Sequence, residues 1–237
     1  MSEQEPYLPA LRYRRLTPLY DSVVGVLLRE RALKRRLVDQ AAIGAGDRVL
    51  DVGCGTATLT LMVQAEVGDA LVFGVDGDLE TLALARRKAV AAGTRLRVCA
   101  ALAQDLPFAD GSFERVVSSL FFHHLTRASK LAALGAIRRV LVIRGELHVL
   151  DWGRAQDPLM RTLFLFVQLL DGFETTTDSV RGRLVEFLSD AEFDGVRETQ
   201  RVRTLLGTLS LYEAVARENE ARRELEMSID ENQEDER

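Results

Sequence analysis

Apolar and polar residues follow one another along this chain in segments that predict strands and helices in turn. Five short apolar runs suit the buried strands of a parallel sheet, near residues 48–52, 71–75, 95–99, 114–119 and 145–150. Amphipathic segments between them predict helices at about 57–66, 78–92 and 128–141. Strands and helices that alternate at this spacing indicate a parallel sheet with right-handed crossovers.

Further elements are predicted on both sides of this core. Thr17-Pro18 is a typical helix start, and this N-terminal helix should reach about Gln40. After Trp152 we expect an apolar helix over 159–170, a second helix over about 178–190, and a hairpin-like pair of strands near 196–204 and 207–216. We therefore divide the chain into one domain, 1–216, and an acidic charged tail, 217–237. The domain comprises an N-terminal helical cap (1–45), a core (46–152), a helical lid (153–190) and the last two strands (191–216).

A glycine-containing turn follows the first predicted strand. Residues 49–60 read Val-Leu-Asp-Val-Gly-Cys-Gly-Thr-Ala-Thr-Leu-Thr, so Gly53 and Gly55 stand directly after the apolar run. Because glycine has no Cβ, the backbone there can turn tightly and approach a ligand. Asp51 lies two residues before Gly53, and it points to a ligand that carries an ammonium rather than a pyrophosphate.

An acid ends the second predicted strand. Leu71-Val72-Phe73-Gly74-Val75 runs into Asp76, which stands 21 residues after Gly55. That is close to the offset of about 20 residues at which an acid meets ribose hydroxyls, and a carboxylate can accept from both hydroxyls of one ribose. The dinucleotide fingerprint lacks its third glycine, since Thr58 stands in its place, which disfavours a dehydrogenase.

These motifs resemble those of the class I S-adenosylmethionine-dependent methyltransferases, whose first motif has the form Asp-x-Gly-x-Gly and whose second ends in an acid. Three further stretches are similar to the ubiquinone/menaquinone-type branch of that family: Leu106 to Glu114, His123-His124-Leu125, and Gly145 to Trp152. The similarity covers about residues 46–152 and is weaker near 207–212. It implies an α/β fold, a Rossmann-like doubly wound seven-stranded sheet that is parallel except for one antiparallel strand beside the fifth.

The resemblance also implies S-adenosylmethionine as the methyl donor. Its methionine end would lie over Gly53 and Gly55, its ribose on Asp76, and its adenine beside Leu102 and its neighbours. Leu102 departs from many relatives, which carry an acid there. The donor-binding residues predicted in this way are Tyr20, Asp51, Gly53, Cys54, Gly55, Thr56, Asp76, Gly77, Leu102, Ala103 and Ser118.

Three residues are candidates for a general base. Methyl transfer from a sulfonium depends mostly on alignment and on exclusion of water. A base is needed when the acceptor is a protonated hydroxyl, an amine or an activated carbon. His123, His124 and Asp151 follow predicted strands, and histidine has a suitable pKa. A structural role for the two histidines stays open, with one ring packing and the other bonded to a backbone carbonyl.

The apolar segment 159–170, with Phe173 after it, has three interpretations: a lid over a lipophilic acceptor, a face for a homodimer, or core. We favour a lid that also contributes to the core, because the segment follows a strand end on the active-site side.

Composition and charge exclude several classes of function. The chain has 237 residues, 47% hydrophobic, and no apolar run reaches the roughly 18 residues of a membrane span. Two cysteines are too few for a disulfide framework or a zinc site, and the N-terminus lacks a secretory layout, so the cytoplasm is the expected location. The net charge of −5 belongs to the tail, because residues 218–237 hold nine acids and three arginines.

A basic cluster lies near the end of the N-terminal helix, at Arg29, Arg31, Lys34, Arg35 and Arg36. We interpret it as a solvated helix face rather than a surface for nucleic acid or anionic lipid. No base-flipping motif or recognition domain is evident, so no nucleic-acid partner is expected.

The sequence thus favours a methyltransferase that acts on a small molecule, such as a quinone precursor, a lipid or a secondary metabolite. The alternative is a catalytically silent relative that binds S-adenosylmethionine as a sensor or partner subunit.

Overall fold

The structure, a computed structural model, describes residues 30–217. The predicted start of the N-terminal helix, Tyr20 and residues 218–237 of the acidic tail lie outside this range. Within it the helices are α1 (Glu30–Ala41), α2 (Thr58–Glu66), α3 (Leu79–Ala91), α4 (Arg127–Val140), α5 (Pro158–Asp171), α6 (Phe173–Arg181) and α7 (Leu184–Asp190). The strands are β1 (Arg48–Val52), β2 (Leu71–Asp76), β3 (Val98–Ala100), β4 (Phe113–Ser119), β5 (Leu141–Trp152), β6 (Phe193–Thr204) and β7 (Gly207–Ala216).

The strands form one seven-stranded sheet in the order β3-β2-β1-β4-β5-β7-β6. Strands β1 to β5 pair in parallel, and β7 is inserted antiparallel between β5 and β6. The predicted fold class is therefore confirmed, including the antiparallel strand beside the fifth.

Helices cover both faces of the sheet and form two apolar cores. On one face, α1, α2 and α5 contribute Leu37, Val63 and Phe164 to a core under the sheet. On the other face, α4 and α7 contribute Ile137 and Phe187. The fold class follows from these two cores, since β1, β4 and β5 are buried on both faces.

The lid is divided differently from the prediction. One helix over 178–190 was expected, and two are found, because Gly182 takes a left-handed conformation (φ +69°) and ends α6. The first lid helix is as predicted: Pro158 occupies its first turn, and the Asp157 carboxylate accepts the N–H of Met160.

Ala57 and Arg144 carry backbone strain. Ala57 has φ +58° and directly precedes α2. Arg144 has φ +62° and lies where β5 changes register against β4. Both residues thus adopt a left-handed conformation that favours glycine.

Gly153 permits close contact between the end of β5 and β7. A Cβ at Gly153 would lie 1.9 Å from the Ser210 Oγ, whereas one at Gly135, on the exposed face of α4, would meet nothing within 4 Å. We expect Gly153→Ala to lower the free energy of unfolding by about 2 kcal/mol through overpacking. Gly135→Ala, the matched control, should raise it by about 0.8 kcal/mol through helix propensity. Urea unfolding measures both, and equal effects would contradict this account.

Candidate active site

The predicted site residues gather where parallel strands end. Asp51 lies on β1 opposite Gly74 of β2 and Val117 of β4, and Asp76 ends β2 opposite Ala100 of β3. Ligands of open α/β sheets bind beyond these carboxyl ends. The sheet therefore brings the glycine turn, Asp76 and the start of the segment after β4 to one edge.

The glycine turn is held in place by the neighbouring strand. Gly53 and Cys54 both donate their N–H groups to the Val75 carbonyl, at 2.9 and 3.0 Å. Gly53 has φ +70° and Gly55 has φ +54°, so both occupy the left-handed region. Thr56, also predicted to bind the donor, is half-buried in this turn.

Phe121 lies directly over Gly53. A Cβ at Gly53 would lie 2.2 Å from the Phe121 ring, so the turn accepts only glycine there. Phe121 was not among the residues predicted from the sequence. The sequence offers little indication of this role, because an apolar residue after β4 is equally consistent with a position in the core.

Asp51 is fully buried at the end of β1. Its Oδ2 accepts a hydrogen bond of 2.7 Å from the hydroxyl of Thr60, the third residue of α2. Its Oδ1 has no hydrogen-bond partner among the described residues. Burial raises the pKa of Asp51 to about 6, although the Thr60 hydroxyl and the charge of Lys34 act in the other direction. Thr60 was also missed from sequence.

Asp76 connects the two loops at the site. Its Oδ2 accepts the N–H of Gly55 at 2.9 Å, and its Oδ1 accepts the N–H of Asp78 at 2.9 Å. Burial raises the pKa of Asp76, and these two backbone donors oppose the shift. Each carboxylate oxygen has a further lone pair, so Asp76 can accept two more hydrogen bonds from a ligand.

Two other predicted donor-binding residues have clear structural contacts. The Cys54 thiol fills the gap beside Gly74, where a Cβ would lie 2.9 Å from its Sγ, and burial raises the pKa of the thiol. The Ser118 hydroxyl donates to the Val52 carbonyl at 2.8 Å and joins β4 to β1. Any contact of Cys54 with the donor would therefore use its backbone.

The predicted adenine side of the site is more open. Leu102 is 39% exposed, Ala103 is buried and Gly77 is half-buried. This arrangement provides an apolar wall without a carboxylate at Leu102.

Of the three candidate bases, the structure pairs His123 with Asp151. The His123 Nδ1 lies 2.7 Å from the Asp151 Oδ1, and the backbone N–H of His123 donates to the Oδ2 at 3.3 Å. Both side chains are buried. Burial acts to raise the pKa of Asp151, but the His123 charge and hydrogen bond, with the Trp152 N–H, lower it overall.

His124 lies against His123 without a bond to Asp151. The two ring centroids are 3.9 Å apart. Burial, followed by the charge of His123, lowers the pKa of His124 well below its ordinary value. His124 is therefore neutral at pH 7, and His123 with Asp151 is the better proton-transfer pair.

The lid is joined to the core beside this pair. Lys130 of α4 is buried, and its Nζ donates to the Thr175 carbonyl at 2.9 Å and to the Asp178 carboxylate at 3.3 Å. Both acceptors lie on α6. A small cavity lies between these helices and the end of β5, lined by Phe122, Lys130, Asp151, Trp152, Asp178, Ser179, Leu184 and Phe187.

Residues 30–217 contain neither a metal-binding cluster nor a membrane-spanning helix. No group of three or more acidic, cysteine or histidine side chains in that range could hold a metal ion. No helix in the same range is long and apolar enough to cross a membrane. Tyr20, the remaining predicted donor-binding residue, lies outside the described residues.

Comparison with known proteins identifies the family. The model of a methyltransferase domain matches residues 49–145. The chain is 38% identical to the demethylmenaquinone methyltransferase of Thermus thermophilus over 142 residues, 59% of this chain and 64% of that protein. It is 32% identical to the enzyme of the same name from Symbiobacterium thermophilum over 181 residues, 72% of this chain and 71% of that protein.

The fold agrees with these similarities. A solved S-adenosylmethionine-dependent methyltransferase from Methanosarcina mazei matches 77% of this chain and 98% of its own length, with a TM-score of 0.61 at 19% identity. The chain spans less than two thirds of the Thermus thermophilus relative but more than two thirds of the Symbiobacterium thermophilum one. The chain belongs to the S-adenosylmethionine-dependent methyltransferases of the ubiquinone/menaquinone-biosynthesis type.

Proposed function

We propose that this protein transfers a methyl group from S-adenosylmethionine to a small-molecule acceptor that has an acidic hydroxyl or an activated ring carbon. The observation that carries the proposal is the buried His123–Asp151 pair. His123 follows β4, whose neighbour β1 leads into the glycine turn, and Asp151 lies at the end of β5 on the other side of β4. A quinone precursor is the favoured acceptor, because two relatives are named demethylmenaquinone methyltransferases.

The residues present fit the donor. Asp51 has a buried oxygen without a partner among the described residues, which suits an ammonium. Gly53 and Gly55 leave the turn without side chains, and Asp76 retains lone pairs for two ribose hydroxyls. When bound, S-adenosylmethionine supplies an electrophilic methyl group on a sulfonium.

The chain's own residues would align the acceptor and remove its proton. An acceptor hydroxyl or ring carbon that received the methyl group would have to lose one proton to remain neutral. With Nδ1–H donated to Asp151, the His123 Nε2 carries the lone pair that can take this proton. The Asp151 carboxylate stabilises the imidazolium that results.

The exposed apolar residues of the lid favour a lipophilic acceptor in this proposal. Helix α5 exposes Phe166 and Leu169, and Phe173 is exposed at the start of α6. The same exposed residues would serve a homodimer, so that prediction stays open. We place the enzyme in the cytoplasm as part of the proposal, since Cys54 and Cys99 are both unpaired.

The experiment is a methyl-transfer assay on the full chain with S-adenosylmethionine. The acceptors are demethylmenaquinone reduced to its quinol, simple dihydroxynaphthalenes and phenols, and a phospholipid headgroup amine as comparison. We expect S-adenosylhomocysteine together with a singly methylated arene, and mass spectrometry of the product distinguishes O- from C-methylation. Binding of S-adenosylhomocysteine with no turnover across the set would instead support the silent-relative alternative, which the 4% exposure of His123 favours.

Donor affinity should depend on pH through Asp51. The free protein holds the Asp51 pKa near 6, and an ammonium binds only the ionised carboxylate. Lowering the pH from 7 to 5 should therefore weaken S-adenosylhomocysteine binding about tenfold. Calorimetric titration measures this. Asp51→Asn keeps the shape but does not titrate, so its affinity should change less over the same range; an equal pH dependence in both proteins would contradict the role of Asp51.

A further inference from the structure

Helix α6 of the lid is too polar to be held in place by apolar packing alone. Its nine residues include two apolar ones, Phe173 and Val180, and Phe173 is 51% exposed. Isolated helices shorter than about 12 residues are only marginally stable in water, and most helices of proteins are held by an apolar face. The position of α6 therefore depends largely on polar contacts.

Lys130 of α4 provides the polar contact between α6 and the core. Its side chain is 3% exposed, and its Nζ donates to the Thr175 carbonyl at 2.9 Å and to the Asp178 carboxylate at 3.3 Å. The ammonium also lies 5.9 Å from the centre of the Phe187 ring. A lysine is rarely buried unless its charge is paired, and here the paired groups belong to α6.

Two other polar contacts join α6 to further parts of the lid. The Gln168 amide of α5 donates to the Thr176 hydroxyl at 3.3 Å, and both side chains are buried. The Arg183 guanidinium, next to α7, lies 3.6 Å from the Asp178 carboxylate. Because these groups belong to residues 153–190, they would move together with α6 if the lid moved. The Lys130 contact is different, since it fixes α6 to a helix of the core.

Helix α6 lies over the segment that carries His123. It packs against the short helical turn over Phe122–His124 and against β5. The small cavity beside the end of β5 is lined by Lys130 and Asp178 as well as by Asp151. The ion pair that holds α6 and the carboxylate that orients His123 therefore face the same cavity. Release of α6 would uncover the turn that places His123 against Asp151.

We propose that Lys130 is a positioning residue for the His123–Asp151 pair. By holding α6 against the turn over Phe122–His124, it keeps the His123 Nδ1 on the Asp151 carboxylate and the Nε2 in one position. A misplacement of about 1 Å at a reacting group can lower a rate 100-fold. The effect on catalysis rests on the proposed function, whereas the effect on His123 itself can be measured without an acceptor.

The test compares Lys130→Met with Arg127→Met in the full chain. Methionine retains a long flexible stem but has neither charge nor N–H donors. Arg127 is the matched control, because it is exposed on the same helix and its guanidinium lies 5.5 Å from the centre of the same Phe187 ring. Its replacement removes a neighbouring positive charge and leaves the contacts of Lys130 with α6 in place.

Two measurements need no acceptor. Proton NMR follows the Nδ1–H of His123, which has its own downfield signal while the buried carboxylate protects it from water. Hydrogen exchange follows the backbone amides of α6. In Lys130→Met we expect the His123 signal to be lost through exchange and the α6 amides to exchange at least about tenfold faster. Arg127→Met should match the wild type in both measurements.

Kinetics separate positioning from stability. With an acceptor that the methyl-transfer assay identifies, Lys130→Met should lower kcat about 20-fold, and the KM of the acceptor should rise less than about threefold. The affinity for S-adenosylhomocysteine should not change. If α6 exchanges faster while the His123 signal and kcat match the wild type, Lys130 holds the lid without positioning the pair, and the proposal is wrong.

A second variant decides the matter if Lys130→Met does not fold. Asp178→Asn keeps the shape of the side chain and removes the charge that Lys130 pairs with, so it should shift the same measurements in the same direction by a smaller factor. Wild-type values in this variant would overturn the proposal. Absence of turnover with every acceptor would contradict the proposed function instead, and the NMR and exchange results would still test the role of Lys130.

Discussion

Replacing Asp76 by alanine is expected to weaken the binding of S-adenosylhomocysteine about 100-fold. The substitution removes the acceptor for two ribose hydroxyls, and hydrogen bonds to a charged group contribute a net of roughly 1.5–3 kcal/mol each. It also frees the N–H groups of Gly55 and Asp78, so the two loops lose their common anchor. Both effects act on the donor site and lower affinity together.

Asp78→Ala is the matched control, because it removes an equal charge two residues away. The Asp78 carboxylate accepts the N–H groups of Glu80 and Thr81 and caps α3. Its loss should cost about 1 kcal/mol of stability and change donor affinity only slightly. Calorimetry and thermal unfolding on both variants separate the two effects. Unchanged affinity in Asp76→Ala would show that the ribose is bound elsewhere.

The features that the sequence predicts best are those that depend on neighbours along the chain. The run before Asp51, the glycine pair and the run before Asp76 define two strand ends, and parallel pairing brings those ends together. The lid helix after Asp157 was predictable for the same reason, since its capping residue and proline are adjacent. Their roles toward the donor stay predictions that the binding experiments test.

The features that the sequence does not predict depend on contacts between distant segments. Lys34 belongs to a run of basic residues that predicts a solvated helix face, and only the packing of α1 against α2 shows that Lys34 is buried instead. Phe121 contacts Gly53 across 68 residues of sequence, and Thr60 pairs with Asp51 across the glycine turn. These contacts form because strand ends that are distant in sequence are adjacent in the sheet. No local sequence pattern therefore predicts them.

The choice between the two histidines has the same origin. His123 and His124 are equivalent in the sequence, but the short helical turn over Phe122–His124 directs the His123 Nδ1 to Asp151. That contact spans 28 residues and exists because β4 and β5 are parallel neighbours. Of the three candidate residues, the structure therefore brings two together as a pair, His123 and Asp151.

Replacing His123 by asparagine is expected to lower kcat about 1000-fold for an acceptor that the assay identifies. The asparagine amide can donate to Asp151 in place of the Nδ1–H, so the buried carboxylate keeps a partner and the protein should fold. No proton acceptor replaces Nε2, and a positioned base contributes about 100- to 10,000-fold. Affinity for S-adenosylhomocysteine should stay within about threefold.

His124→Asn is the matched control, because it removes the adjacent imidazole without touching Asp151. The His124 pKa is held well below its ordinary value, so this ring is a weak proton acceptor at pH 7, and kcat should fall less than tenfold. Comparing kcat, acceptor KM and donor affinity for both variants distinguishes the roles. If His123→Asn keeps full kcat, proton removal uses another group. If it instead loses donor affinity in parallel with kcat, the His123–Asp151 pair fixes the turn after β4 against β5, because a structural role would disturb binding and a purely chemical role would not.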